Sequence, residues 1–115
     1  MSNSQIYLRF LHLTQAISGE LPTSNVDFSA LRLLEAIAVA KAQGSPLTVT
    51  NAMELNTLAS PATLHRKLDA LLEAGLVEQE FEGKNRRTKY LVPTQSASKY
   101  FEQMGRALVT AIKRP

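Results

Sequence analysis

Apolar residues recur along this chain with two periods, one helical and one strand-like. Ile6, Phe10, Leu13 and Ile17 fall at i, i+4, i+7 and i+11, which predicts a helix from Ser2 to Ile17. Tyr7, Leu8 and Leu11 widen that stripe beyond what one contact surface needs, so the helix should be covered by more than its own domain. His12 lies within this apolar stretch and reads as a packed side chain. Gly19 to Asn25 breaks the pattern with Gly, Pro, Ser and Asn. A second helix is predicted from Asp27, as N-cap, to Gln43, with Phe28, Leu31, Leu34, Ile37 and Ala38 inward and Gly44 as its stop. Leu47 to Val49 reads as a very short strand, and Thr50 or Asn51 as the cap of a short helix ending near Asn56.

The next segment carries the clearest signals. Ser60 is a good N-cap and Pro61 suits the first helical position, where its missing N–H leaves nothing unpaired. Leu64, Leu68, Leu71 and Leu72 then repeat at i, i+4, i+7 and i+8, and Gly75 ends the helix. From Leu76 to Glu82 the period changes to two: Val77, Gln79 and Phe81 alternate with Glu78, Glu80 and Glu82. A polar loop from Gly83 to Thr88 leads to a return strand, Lys89 to Val92. Pro93 ends that strand, and Thr94 caps a last helix striped with Ala97, Tyr100, Phe101, Met104, Leu108, Ala111 and Ile112.

Two helices joined by a tight turn and followed by a hairpin make a winged helix-turn-helix. The fold class expected is therefore mainly α with one small β-hairpin, flanked by N- and C-terminal dimerisation helices. With 115 residues, the chain fits a single domain over 1–115. Its parts are an N-terminal helix and linker (1–25), the winged core (27–93) and a C-terminal helix (94–115).

Composition narrows the reading. Hydrophobic residues make up 44% and charged residues 20%, the balance of a soluble globule. No apolar run reaches the roughly 18 residues of a membrane span. The first residues lack the basic patch of a secretory signal, so a cytoplasmic protein with no membrane partner is expected. Without cysteine there is no disulfide and no thiol nucleophile. The net charge of +3 says little alone, but its distribution says more. Lys84, Arg86, Arg87 and Lys89 crowd the hairpin tip with no acid among them. Closeness matters because attraction to phosphate is screened beyond roughly 8–10 Å.

A DNA reader needs a rigid helix whose first turns reach base edges in the major groove. Opposite the leucine stripe, Ala62 and Arg66 face outward after Ser60, with Thr63, His65 and Lys67 beside them. Arginine can grip guanine or phosphate with two parallel bonds, and Ala62 can touch a thymine methyl group. An arginine and a lysine on an exposed helix are ordinary; a basic hairpin tip directly after them is not. The candidate DNA-binding set is therefore Ser60, Ala62, Thr63, His65, Arg66, Lys67, Lys84, Asn85, Arg86, Arg87 and Lys89. Asp69 and Glu73 would repel phosphate, so contact should fade beyond Lys67. His12 and His65 lie in different helices, and no catalytic set, phosphate loop or metal spacing is visible. A non-enzyme without cofactor is expected.

The run from Ser60 to Val77 resembles the recognition helix and first wing strand of the multiple-antibiotic-resistance regulator (MarR) family. Asn85-Arg86-Arg87 falls at that family's Asp-x-Arg wing signature, and Val92-Pro93-Thr94 where its wing meets the next helix. The resemblance spans roughly residues 28–101. It implies a sequence-specific, double-stranded DNA-binding transcriptional regulator that works as a homodimer, with a small-molecule effector possible but unidentified. Asn85 replaces the family's acid, so the wing salt bridge implied there is lost. Family members typically end in two dimer-building helices, and here one runs from Thr94 to Lys113. A dimer would then use Ile6, Phe10, Leu13, Ile17, Phe101, Met104 and Leu108. Two other readings remain open: a winged-helix protein-interaction module, and a replication or partition initiator.

Overall fold

The structure is a computed structural model describing residues 2–17, 23 and 26–113. Five helices and one hairpin follow in the order α1 (Asn3–Ile17), α2 (Phe28–Ala42), α3 (Val49–Met53), α4 (Pro61–Glu73), β1 (Val77–Phe81), β2 (Lys89–Pro93) and α5 (Gln95–Ile112). Most of the break at Gly19 to Asn25 lies outside the described residues.

Local chemistry explains where the helices begin. Before α1, the Ser2 hydroxyl accepts from the Gln5 N–H at 3.1 Å, and the Gln5 carboxamide accepts from the Ser2 N–H at 2.9 Å. Asp27, Thr48, Ser60 and Thr94 cap α2, α3, α4 and α5, each accepting from an N–H three residues on. At the end of α4 the N–H of Leu76 reaches the Leu71 carbonyl at 3.0 Å, and that of Gly75 reaches Leu72 at 3.1 Å. Gly75 has φ +73, a left-handed conformation that costs a residue without Cβ little.

The core is built from leucines of α2 and α4. Leu33, Leu34 and Ile37 meet the α4 stripe of Leu64, Leu68 and Leu71, with Leu76, Val77, Leu91, Ala52 and Ala97 completing the cluster. In the hairpin Val77 pairs with Pro93 and Phe81 with Lys89, antiparallel throughout. The hairpin is tied to the body at three points. Leu91 N–H donates to the Leu47 carbonyl at 2.7 Å, Thr94 N–H to Leu76 at 3.0 Å, and the Thr94 hydroxyl to Gly75 at 2.6 Å.

Four sequence expectations are corrected here. Phe28 is not part of the inner face: it is 72% exposed, and Leu33 is fully buried instead. The inward arc is Ala30, Leu33, Leu34 and Ile37, and Phe28 sits about 140° round the helix from Leu33. The strand at Leu47–Val49 reduces to the single Leu47 bond, because Thr48 and Asn51 form a reciprocal capping box and turn the chain into α3. The cap of α3 is thus Thr48 rather than Thr50 or Asn51, and the helix stops at Met53 rather than Asn56. His12 is exposed, not packed.

Helices α1 and α5 pack along each other beside this core. No residue of α1 is fully buried. The radius of gyration is 15.7 Å, against ~13 Å for a globule of about 100 residues, so this pair extends the molecule rather than closing it. Of the residues expected in a dimer surface, Leu108 is 48% exposed, while Ile6, Phe10, Leu13, Ile17, Phe101 and Met104 are half-buried. Leu8, Val109 and Ile112 are the larger exposed apolar side chains on these two helices, with Tyr7.

Truncation separates the two faces of α2. Leu33→Ala should cost about 2–5 kcal/mol in urea unfolding, the range for a deleted core leucine. Phe28→Ala should stay within about 0.5 kcal/mol, as an exposed site does.

Candidate nucleic-acid interface

Burial of the α4 leucines decides which side of that helix meets solvent. Ala62, His65 and Arg66 are exposed on it, and Thr63 is half-buried. The first turn carries a short hydrogen-bonded chain. The Ser60 hydroxyl lies 3.1 Å from the Thr63 hydroxyl, and Arg66 Nη2 donates to Thr63 Oγ1 at 3.2 Å. Arg66 is thereby held along the helix surface toward the first turn, the end of a helix where negative charge is favoured. Further along, Asp69 and Glu73 are exposed.

Lys67 has a different environment from its neighbours. Its ammonium donates to the carboxylate of Asp27, forty positions earlier in the chain. Asp27 also caps α2 by accepting from the Ala30 N–H at 2.9 Å. One carboxylate therefore starts α2 and holds the middle of α4. The Lys67 hydrogen bond, then the Ala30 N–H, hold the Asp27 carboxyl below its ordinary value. Asp27 was legible only as a cap, since nothing local in the sequence joins it to Lys67.

The tip of the hairpin begins with a turn closed by the Asn85 N–H to the Glu82 carbonyl at 3.1 Å, with Gly83 at φ +57. Asn85 then accepts the Arg87 N–H on its side-chain oxygen at 2.9 Å. The residue standing in for an acid thus shapes its own loop. Arg86 and Lys89 lie over the ring of Phe81, at 5.3 and 5.5 Å from its centroid. Lys84 and Arg87 are exposed. Among the described residues, no carboxylate forms an ion pair with any of these four cations. Phe81, whose ring meets two of these cations, was legible in the sequence only as one face of a strand.

A groove of about 1110 Å³ runs between α1, α2 and α5, walled by Tyr7, Phe10, Phe28, Tyr100 and Phe101, with Glu35 among its polar lining. Burial, then the nearby Glu35 charge, push the Tyr100 phenol above its ordinary value. Among the described residues, no group of three His, Asp or Glu side chains could hold a metal ion. No helix there is long and apolar enough to cross a membrane.

Two helices joined by a turn, a hairpin wing and flanking helices give this chain the winged-helix fold, in the arrangement seen in solved MarR-like transcriptional regulators. Superposition on a MarR-like transcriptional regulator from Thermotoga maritima covers 97% of this chain and 81% of that one, with a TM-score of 0.60 and 20% identity. YusO from Bacillus subtilis gives 96% and 80% coverage, TM-score 0.51 and 24% identity. A MarR variant from E. coli, solved with operator DNA, gives 90% and 70% coverage, TM-score 0.54 and 16% identity. At such identities the likeness is one of fold. No family model matches the sequence, and no curated protein matches it either.

The Asp27–Lys67 pair makes a pH prediction. A carboxyl held below its ordinary value contributes stability above that value and loses it as pH falls through the lowered one. Asp27 should therefore titrate below the usual ~3.9 in a carbon-detected NMR titration. Lys67→Met should move its midpoint upward, with the Ala30 cap still keeping it depressed.

Proposed function

We propose that this chain is a sequence-specific double-stranded DNA-binding transcriptional regulator of the MarR type, acting in the cytoplasm as a homodimer and not as an enzyme. The observation that carries this reading is the pairing of a capped α4 start, presenting Ala62, His65 and Arg66, with a hairpin tip whose four cations have no carboxylate partner among the described residues. In this reading α4 enters the major groove, with Ser60, Thr63 and Arg66 at phosphates and base edges. The tip from Lys84 to Lys89 meets flanking phosphates or the minor groove. Lys67 belongs to the strut with Asp27 rather than to the DNA contact. Structural similarity to a protein solved with operator DNA supports the assignment.

The dimer surface is reassigned toward the exposed side chains of the α1–α5 pair: Leu8, Leu108, Val109 and Ile112. A twofold axis there would set two α4 helices about one DNA turn apart, ~34 Å. The groove walled by Tyr7 and Phe10 is the place for a small-molecule effector, should one act.

Selection of bound sequences from a random duplex pool tests the assignment. Enrichment of a palindrome is expected. Arg66→Ala should cost about 1–3 kcal/mol and relax preference at one base position. Arg87→Ala should weaken all sequences alike and lower the salt slope by about 0.9. No enrichment, or unchanged affinity in the Arg66→Ala/Arg87→Ala double variant, would overturn the reading and favour a protein-interaction module. For the dimer, light scattering should report twice the chain mass, and Leu108→Glu/Ile112→Glu should halve it while leaving the helical circular dichroism intact.

A further inference from the structure

The wing contains an aromatic ring for which the DNA-binding reading has no use. Phe81 is the last residue of β1, half-buried, and opposite Lys89 in the hairpin register. Arg86 reaches the same ring from the loop. A side chain at this strand end could turn to the core, as Val77 does at the other end, but the ring carries two cations instead. Both lie within the ~6 Å at which a ring face attracts a cation electrostatically. One ring therefore anchors both cations, one from the loop and one from the opposite strand.

We propose that Phe81 is a positioning residue for DNA binding: its ring holds Arg86 and Lys89 as a preformed pair of phosphate-binding cations on the wing. The inference rests on the proposed DNA-binding function and adds a division of labour to it. Arg86 and Lys89 are ordered before the encounter and lose little side-chain freedom on binding. Lys84 and Arg87, which contact no ring among the described residues, order on contact. Phe81 itself touches no DNA and acts through the cations.

The experiment compares wild type, Phe81→Leu, Phe81→Tyr and Arg86→Ala/Lys89→Ala, with and without Phe81→Leu, on one duplex across a salt series. Phe81→Leu should weaken binding about two- to fivefold, the scale of an exposed cation–ring contact. Its salt slope should match wild type, because both charges remain. Arg86→Ala/Lys89→Ala should lower the slope by about 0.9 per cation removed. Phe81→Tyr should restore affinity. In the Arg86→Ala/Lys89→Ala background, Phe81→Leu should cost nothing further. An equal cost in both backgrounds would overturn the proposal, since the ring would then matter only to hairpin stability. Wild-type affinity in Phe81→Leu would overturn it too. A separate NMR readout needs no DNA: the Arg86 Hδ and Lys89 Hε resonances should be ring-shifted upfield in wild type and return to ordinary positions in Phe81→Leu. If wild type binds no duplex while the shifts are present, the function assignment fails and the platform stands. If the shifts are absent, the platform fails whatever the DNA result.

Discussion

The contact between the leucines of α2 and α4 is the constraint on which the rest depends. Leu33, Leu34 and Ile37 against Leu64, Leu68 and Leu71 leave no freedom in the rotation of α4 about its axis. Close packing makes such a contact discrete rather than continuously adjustable. Once those leucines are inside, Ala62 and Arg66 are outside by helix geometry alone. The Asp27–Lys67 ion pair adds a second, polar tether between the same two helices at the edge of the apolar contact. Exposed ion pairs contribute little to stability, so its effect is on placement.

Placement of the wing follows from the end of α4. Gly75 reverses the chain in a left-handed turn, Leu76 goes straight into the core, and Val77 begins the strand. Thr94 returns to bond both Gly75 and Leu76, so the second strand closes on the residues that launch the first. The hydrogen bond from Leu91 N–H to the Leu47 carbonyl holds the far edge. Among the described residues the tip, beyond Phe81 and Lys89, has no such tie, and there Asn85 and the Phe81 ring shape the loop from within.

What could be read in the sequence was mostly local. The caps at Asp27, Ser60 and Thr94, the leucine period of α4 and the glycine stop at Gly75 each depend on residues within a turn or two. The winged-helix fold followed from them. Misreadings arose where distant contacts decide. Phe28 and Leu33 are both apolar residues of α2, and only the position of α4 makes one core and the other surface. The capping strength of Thr48 outcompeted a strand at Leu47–Val49 because Asn51 completes the box. At the candidate site, the exposed face of α4 was legible from the wheel. The partners were not: Lys67 meets an acid forty positions away, and Phe81 meets Arg86 around a turn that depends on tertiary geometry.

The two ties from Thr94, its N–H to Leu76 and its hydroxyl to Gly75, have a metrical consequence. They tie the hairpin to the end of the helix at both strands, so helix and hairpin act as two jaws of one caliper. Duplex DNA turns once in about 10–10.5 base pairs, so each base pair rotates the grooves by roughly 35°. In the proposed complex a caliper of constant span can satisfy both jaws at one phase only. Inserting a single base pair between the stretch read by α4 and the stretch gripped by the hairpin would swing one of them out of reach. Spacing within the half-site would then be read as strictly as the bases themselves, by a ruler made of hydrogen bonds at a helix end.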